Sequence, residues 1–225
     1  MVQASQRTDF SGPGLIRLLA RLSEINPRES GQTFADRLSQ WLGWADAISL
    51  SSALDGTPAA APAGVPTATS IEEAQCARVR SALAAAIAED MRSAPAEMSP
   101  DFAPCRRRYV ARQQAMHTSI TALRGRLRDT LAARSPDMAR LASMDAVMEQ
   151  VLGAHEQRLL ATVPALLEKH FKRLPPDRQA PSDTFPDAFG RDMHSVLLAE
   201  LDIRLQPVEG LLAALRSHPP TAPRP

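Results

Sequence analysis

Strand formers are scarce in this chain. Nine of its 225 residues are aromatic, and Val, Ile and Thr seldom alternate with polar neighbours. A half-buried strand needs β-branched or aromatic side chains on a period of two, so the shortage excludes a sheet. Glycine is scarce as well, at ten residues. The two cysteines, Cys76 and Cys105, lack neighbours at ligand spacing, which excludes a disulfide framework and a Cys-based zinc site. Long uncharged apolar runs are missing: none approaches the roughly 20 residues of a membrane span. Met1 to Phe10 lacks the apolar stretch of a signal peptide. A reducing cytoplasm is the expected location.

What is present favours helix. Ala, Leu, Arg, Met and Gln dominate, and these residues lose little entropy in a helix. The sequence predicts an all-α protein. Its expected architecture is a mostly antiparallel bundle over residues 71–216, with an N-terminal helical hairpin over 1–54. A Pro/Ala-rich linker over 55–70 joins the two, and 217–225 is expected as a disordered tail. A further Pro-rich connection spans Leu174 to Pro186.

In the hairpin, Leu15, Leu18, Leu19, Leu22 and Ile25 form one apolar stripe. Asn26, Pro27 and Glu29 resemble a new helix start. The second helix carries Phe34, Leu38, Trp41 and Leu42, and Gly43 ends it before a further turn or two through Leu54. In the bundle, Val79, Leu83 and Ile87 mark a helix over 71–91. Tyr109, Met116, Ile120, Leu123, Leu127 and Leu131 mark the next. Ser135 then caps a long helix, with Pro136 in its first position and a kink expected at Pro164. Its seam runs through Leu141, Met144, Met148, Val151, His155, Leu159, Val163, Leu166 and His170, and this coiled-coil-like seam is a candidate for dimerisation. The last helix begins near Phe185 to Phe189 and meets Pro207, where a break or kink is expected.

Charge is balanced overall, 26 basic against 25 acidic residues, but not locally. Between Cys105 and Arg134 there are eight arginines and one acid, Asp129. Arg106, Arg107, Arg108, Arg112, Arg124, Arg126 and Arg128 are therefore a candidate basic surface, able to neutralise nucleic-acid phosphates. Placed on a helix at about 100° per residue, they flank the apolar stripe on both sides instead of gathering opposite it. That arrangement suits guanidinium stems lying along the seam and pairing with acids on neighbouring helices. Twelve Asp and Glu between Asp137 and Glu209 could supply the partners.

No constellation carries recognisable catalysis. Walker, Rossmann and nucleophile-elbow motifs are absent. His117, His155, His170 and His194 lie on three helices without the Glu-x-x-His spacing of a di-iron bundle. Cys76, near Arg78 and Arg80, reads as a small helical residue. Met144, Met148 and Met193 read as core. No catalytic, cofactor-binding or metal-binding residue is expected, and no cofactor. Phe34, Trp41 and Trp44 stand out as a candidate partner-binding surface. Trp is enriched in binding hot spots, and a two-helix unit buries little surface by itself.

Several strings together resemble a known family. They are FSGP (10–13) leading into LIRLLARL (15–22), RLSQWLGWADAISL (37–50) and RYVARQQAM (108–116). AVMEQVLGAHEQRLLATVPALLEKHF (146–171) and LLAELDIRLQPVEGLLAAL (197–215) complete the set. The chain resembles an uncharacterised betaproteobacterial family called domain of unknown function 3348, over nearly its whole length except the Pro-rich segments. The resemblance brings no activity, cofactor or catalytic residue with it. It implies a cytoplasmic accessory to a membrane complex, since such genes lie near those for a flagellar-stator-like membrane protein and an OmpA-like envelope protein. The expected function is a non-enzymatic interaction or scaffold protein, with a nucleic-acid-binding regulator as the alternative class.

Overall fold

The computed structural model describes residues 14–23, 34–55, 69–92, 101–174 and 188–217. Every element among them is a helix: α1 (Gly14–Ser23), α2 (Phe34–Trp41), α3 (Trp44–Asp55), α4 (Thr69–Arg92), α5 (Ala103–Ala132), α6 (Pro136–Leu160), α7 (Val163–Arg173) and α8 (Ala188–Ser217). None is long and apolar enough to cross a membrane. Most of the 55–70 linker, the 174–186 connection, the Asn26–Glu29 helix start and the 217–225 tail lie outside the described residues. Thr69 and Ser70 already belong to α4, and Ser217 to α8.

The bundle is organised around α5, which packs on α4, α6, α7 and α8. Tyr109, Met116, Ile120, Leu123, Leu127 and Leu131 are all buried, so the apolar period of α5 is its core face. Side-chain pairs give the directions. Along α5, residues 113, 117, 124 and 128 meet partners in α6 that descend from 160 through 157 to 149 and 145, so the two helices are antiparallel. On the other flank Arg112 meets Asp90, and Thr130 meets Glu72, so α4 and α5 are antiparallel as well. Arg80 pairs with Asp202 and Glu209, and Arg216 with Glu73, which sets α8 antiparallel to α4.

The α5–α6 turn is encoded locally. Ser135 is extended and its Oγ accepts a hydrogen bond from the Met138 amide at 3.2 Å, while Pro136 opens α6 where no intrahelical donor is needed. The expected long kinked helix is instead two helices, separated at Ala161 and Thr162. Pro164 has no N–H to offer the Leu160 carbonyl. Gln113 of α5 donates to that carbonyl at 3.0 Å, so a side chain from a neighbouring helix replaces the missing bond. The break also shifts the seam. Leu160 is buried and Leu159 is 55% exposed, with Leu141, Met144, Met148, Val151 and His155 only half-buried. Pro207 lies within α8, which runs unbroken past it.

The N-terminal helices dock on different helices of the bundle. α1 packs on α7 and α8, whereas α2 and α3 pack on α6. α3 has twelve residues, longer than the turn or two expected. At its start the Gly43 amide donates to Asp46 Oδ2 at 3.0 Å, and a Cβ at residue 43 would come within 3.2 Å of that oxygen. Glycine leaves room for this half of a capping box.

Candidate functional site

The arginines of α5 divide by flank. On one side Arg124 and Arg128 share Asp145 and Glu149 of α6, with contacts of 2.6 to 3.4 Å. All four side chains are 11 to 21% exposed. On the other side Arg112 grips Asp90 of α4 through Nε and a terminal nitrogen, at 2.5 and 2.6 Å. This bidentate bond holds the Arg112 guanidinium above its ordinary pKa. The acids thus come from both neighbours, Asp90 lying upstream of the acidic stretch that the sequence singles out. Arg134 reaches Thr69 Oγ1 at 3.3 Å. Arg106 and Arg107 are exposed near the start of α5, and with Arg108 and Arg126 they have no ion-pair partner among the described residues.

A second cluster lies deeper, between α5 and α8. Glu200 is fully buried. Tyr109 donates its hydroxyl to Glu200 Oε2 at 2.7 Å, and Gln113 Nε2 lies 3.0 and 3.1 Å from the two carboxylate oxygens. Arg204, one turn along α8, donates its Nε to Oε1 at 2.9 Å and extends to Glu156 of α6 at 3.5 Å. Burial, reinforced by the Glu200 charge and hydrogen bond, pushes the Tyr109 phenol far above its ordinary pKa of 10. Gln113 therefore joins two features, the Glu200 carboxylate and the carbonyl freed by Pro164.

Of these four residues the sequence singles out Tyr109, as core, but not Gln113, Glu200 or Arg204. A signal was available. Glu200 and Arg204 fall among Val196, Leu197, Leu201, Leu205 and Val208 on the apolar stripe of α8, where a charged pair at i, i+4 cannot be a solvated face.

Above this cluster a cleft of about 370 Å³ opens between α5 and α6, lined by His117, Arg124, Glu149, Gly153, Glu156 and Arg204 among others. It brings one imidazole and two carboxylates together, but each is engaged. Glu149 meets Arg124 and Arg128, Glu156 meets Arg204, and the His117 ring lies 3.0 Å from Gln157 Nε2. Among the described residues no group of three or more His, Cys, Asp or Glu is placed to hold a metal ion. The other histidines do not converge on His117. His170 bonds Asp192 at 2.9 Å, and His155 stacks on Trp41. Burial raises the Cys76 thiol pKa, with the Glu72 carboxylate adding to it, so the nearby arginines do not activate it.

The aromatic candidates have different environments. Trp41 is half-buried, its ring centroid 4.2 Å from that of His155 on α6. Trp44 is 85% exposed, and Ile48, one turn later, is 55% exposed. The Phe34 side chain lies outside the described set. Trp41 thus anchors α2, and Trp44 faces outward. The family described as "Protein of unknown function (DUF3348)" matches residues 1–217. The chain belongs to this family. No curated protein and no solved structure matches it.

Proposed function

We propose that this protein is a non-enzymatic helical interaction or scaffold protein whose docking element is the outer face of α3 around Trp44. The observation that carries this reading is the 85% exposure of Trp44 on a helix whose other side is packed on α6. A buried Trp removes about 150–250 Å² from water. At about 25 cal/mol per Å², roughly 4–6 kcal/mol of burial is therefore available to a partner. The helix carries Asp46 and Asp55 and no basic residue, so the matching surface is an apolar pocket with a basic rim on another protein. Replacing Trp44 by Ala should abolish a specific protein association while far-UV circular dichroism stays unchanged. Association that survives Trp44→Ala contradicts the reading. Placement in the cytoplasm, in the service of an envelope-associated stator-like complex, belongs to the same proposal and rests on the family resemblance.

The second reading, a nucleic-acid-binding regulator, is supported by Arg106, Arg107, Arg108 and Arg126, which have no ion-pair partner among the described residues. If all four neutralised phosphates, log affinity would fall against log salt with a slope of about −3.6. A low-salt gel shift without retardation removes this reading.

A further inference from the structure

We propose that the surface formed by α7 and α8 is a helix-docking site occupied in cis by α1, and that the α1 of a second copy can replace it, joining two chains by exchange of this strap. α1 has ten residues. Isolated helices shorter than about 12–15 residues are marginal in water, so the helicity of α1 depends on the surface beneath it. That surface recognises three things. It buries Leu15 and Leu22, and partly Leu18 and Leu19, the apolar face of an i, i+3, i+4, i+7 pattern. It reads the helix end, where Arg173 of α7 donates to the carbonyl oxygens of Leu22 and Ser23. Carbonyls in the last turn lack intrahelical donors, so a guanidinium there serves as a C-terminal cap. It also reads charge: Asp192 of α8 lies 3.9 Å from Arg21 and is fixed from behind by His170 at 2.9 Å.

The tether allows exchange. Only residues 24–33 separate α1 from α2, and α2 packs on α6, whereas α1 packs on α7 and α8. α1 can therefore leave without disturbing the packing of α2. An α1 arriving from another copy would re-form the same leucine, Arg173 and Asp192 contacts. The cis strap keeps the advantage of its tether, an effective concentration on the order of mM for a short link. The face used is not that of Trp44, so Trp44→Ala leaves strap exchange intact, and either proposal can fail without the other.

Two full-length variants test the exchange. The first, Leu15→Asp with Leu22→Asp, has a defective strap and an intact docking surface. The second, Arg173→Glu with Asp192→Arg, has an intact strap and a defective surface. Both are checked for folding by circular dichroism. A fluorescent peptide of residues 11–26 should bind the first variant, bind the wild type at least tenfold more weakly, and lose binding when Arg173→Glu is added to the first. An equimolar mixture of the two variants should form a heterodimer in analytical ultracentrifugation, while each alone stays monomeric. A folded first variant that ignores the peptide, a wild type that binds it equally well, or a mixture that stays monomeric overturns the proposal.

Discussion

Glu200 shows how a single residue can fix the register of several helices. Its carboxylate is fully buried and takes hydrogen bonds from Tyr109 and Gln113 on α5 and from Arg204 on its own helix. Breaking a buried ion pair by removing one partner leaves the other charge uncompensated and costs about 3–5 kcal/mol. Glu200→Ala should lose about that much in urea denaturation. Tyr109→Phe should lose about 1.5–3 kcal/mol, the value of a hydrogen bond to a charged group. The pH dependence follows from the same contacts. An unfolded phenol ionises near pH 10, while folded Tyr109 keeps its proton well above that. The folded state then binds more protons than the unfolded state, so this stability is fully present below pH 10. Above pH 10 it falls by about 1.4 kcal/mol per pH unit. Tyr109 is the only tyrosine, so tyrosinate absorbance should appear together with alkaline unfolding, and Tyr109→Phe should remove that part of the pH slope. At this scale the sequence was partly legible. The apolar stripe of α5 placed Tyr109 in the core. It could not show which acid would meet the hydroxyl, because Glu200 lies 91 residues away on another helix.

Among the elements, boundaries written in local chemistry were readable. Ser135 with Pro136 marked the start of α6, and the structure shows the cap bond there. Ser135→Ala should destabilise the chain by about 1 kcal/mol, the usual value of an N-cap side chain, measured by thermal or urea unfolding. The sequence predicts only a kink at Pro164 because the decisive contact is tertiary: Gln113 donates to the Leu160 carbonyl and makes a full interruption tolerable. Through that break Leu160, not Leu159, turns inward. α3 was underestimated because its small and polar residues lack a clear apolar period, and its place is set by packing on α6. α2 packs on α6 as well, with Trp41 against His155 of its seam.

For the molecule as a whole, the all-α bundle was legible from composition and period, and the direction of its charge was legible from the helical wheel. Arginines on both flanks of the α5 stripe meet acids on both neighbours, Arg112 on α4 and Arg124 and Arg128 on α6. The N-terminal arrangement was not legible, since the surfaces that receive α1 on one side and α2 and α3 on the other are assembled from distant helices. Arg112, Arg124 and Arg128 thus join helices within the chain, and Trp44 faces outward. The most direct measurement is a double-mutant cycle on Arg128 and Asp145 by urea denaturation. A coupling of about 1–3 kcal/mol is expected for this largely buried pair, whereas two single substitutions that add within about 0.5 kcal/mol would show that the pair does not join α5 to α6.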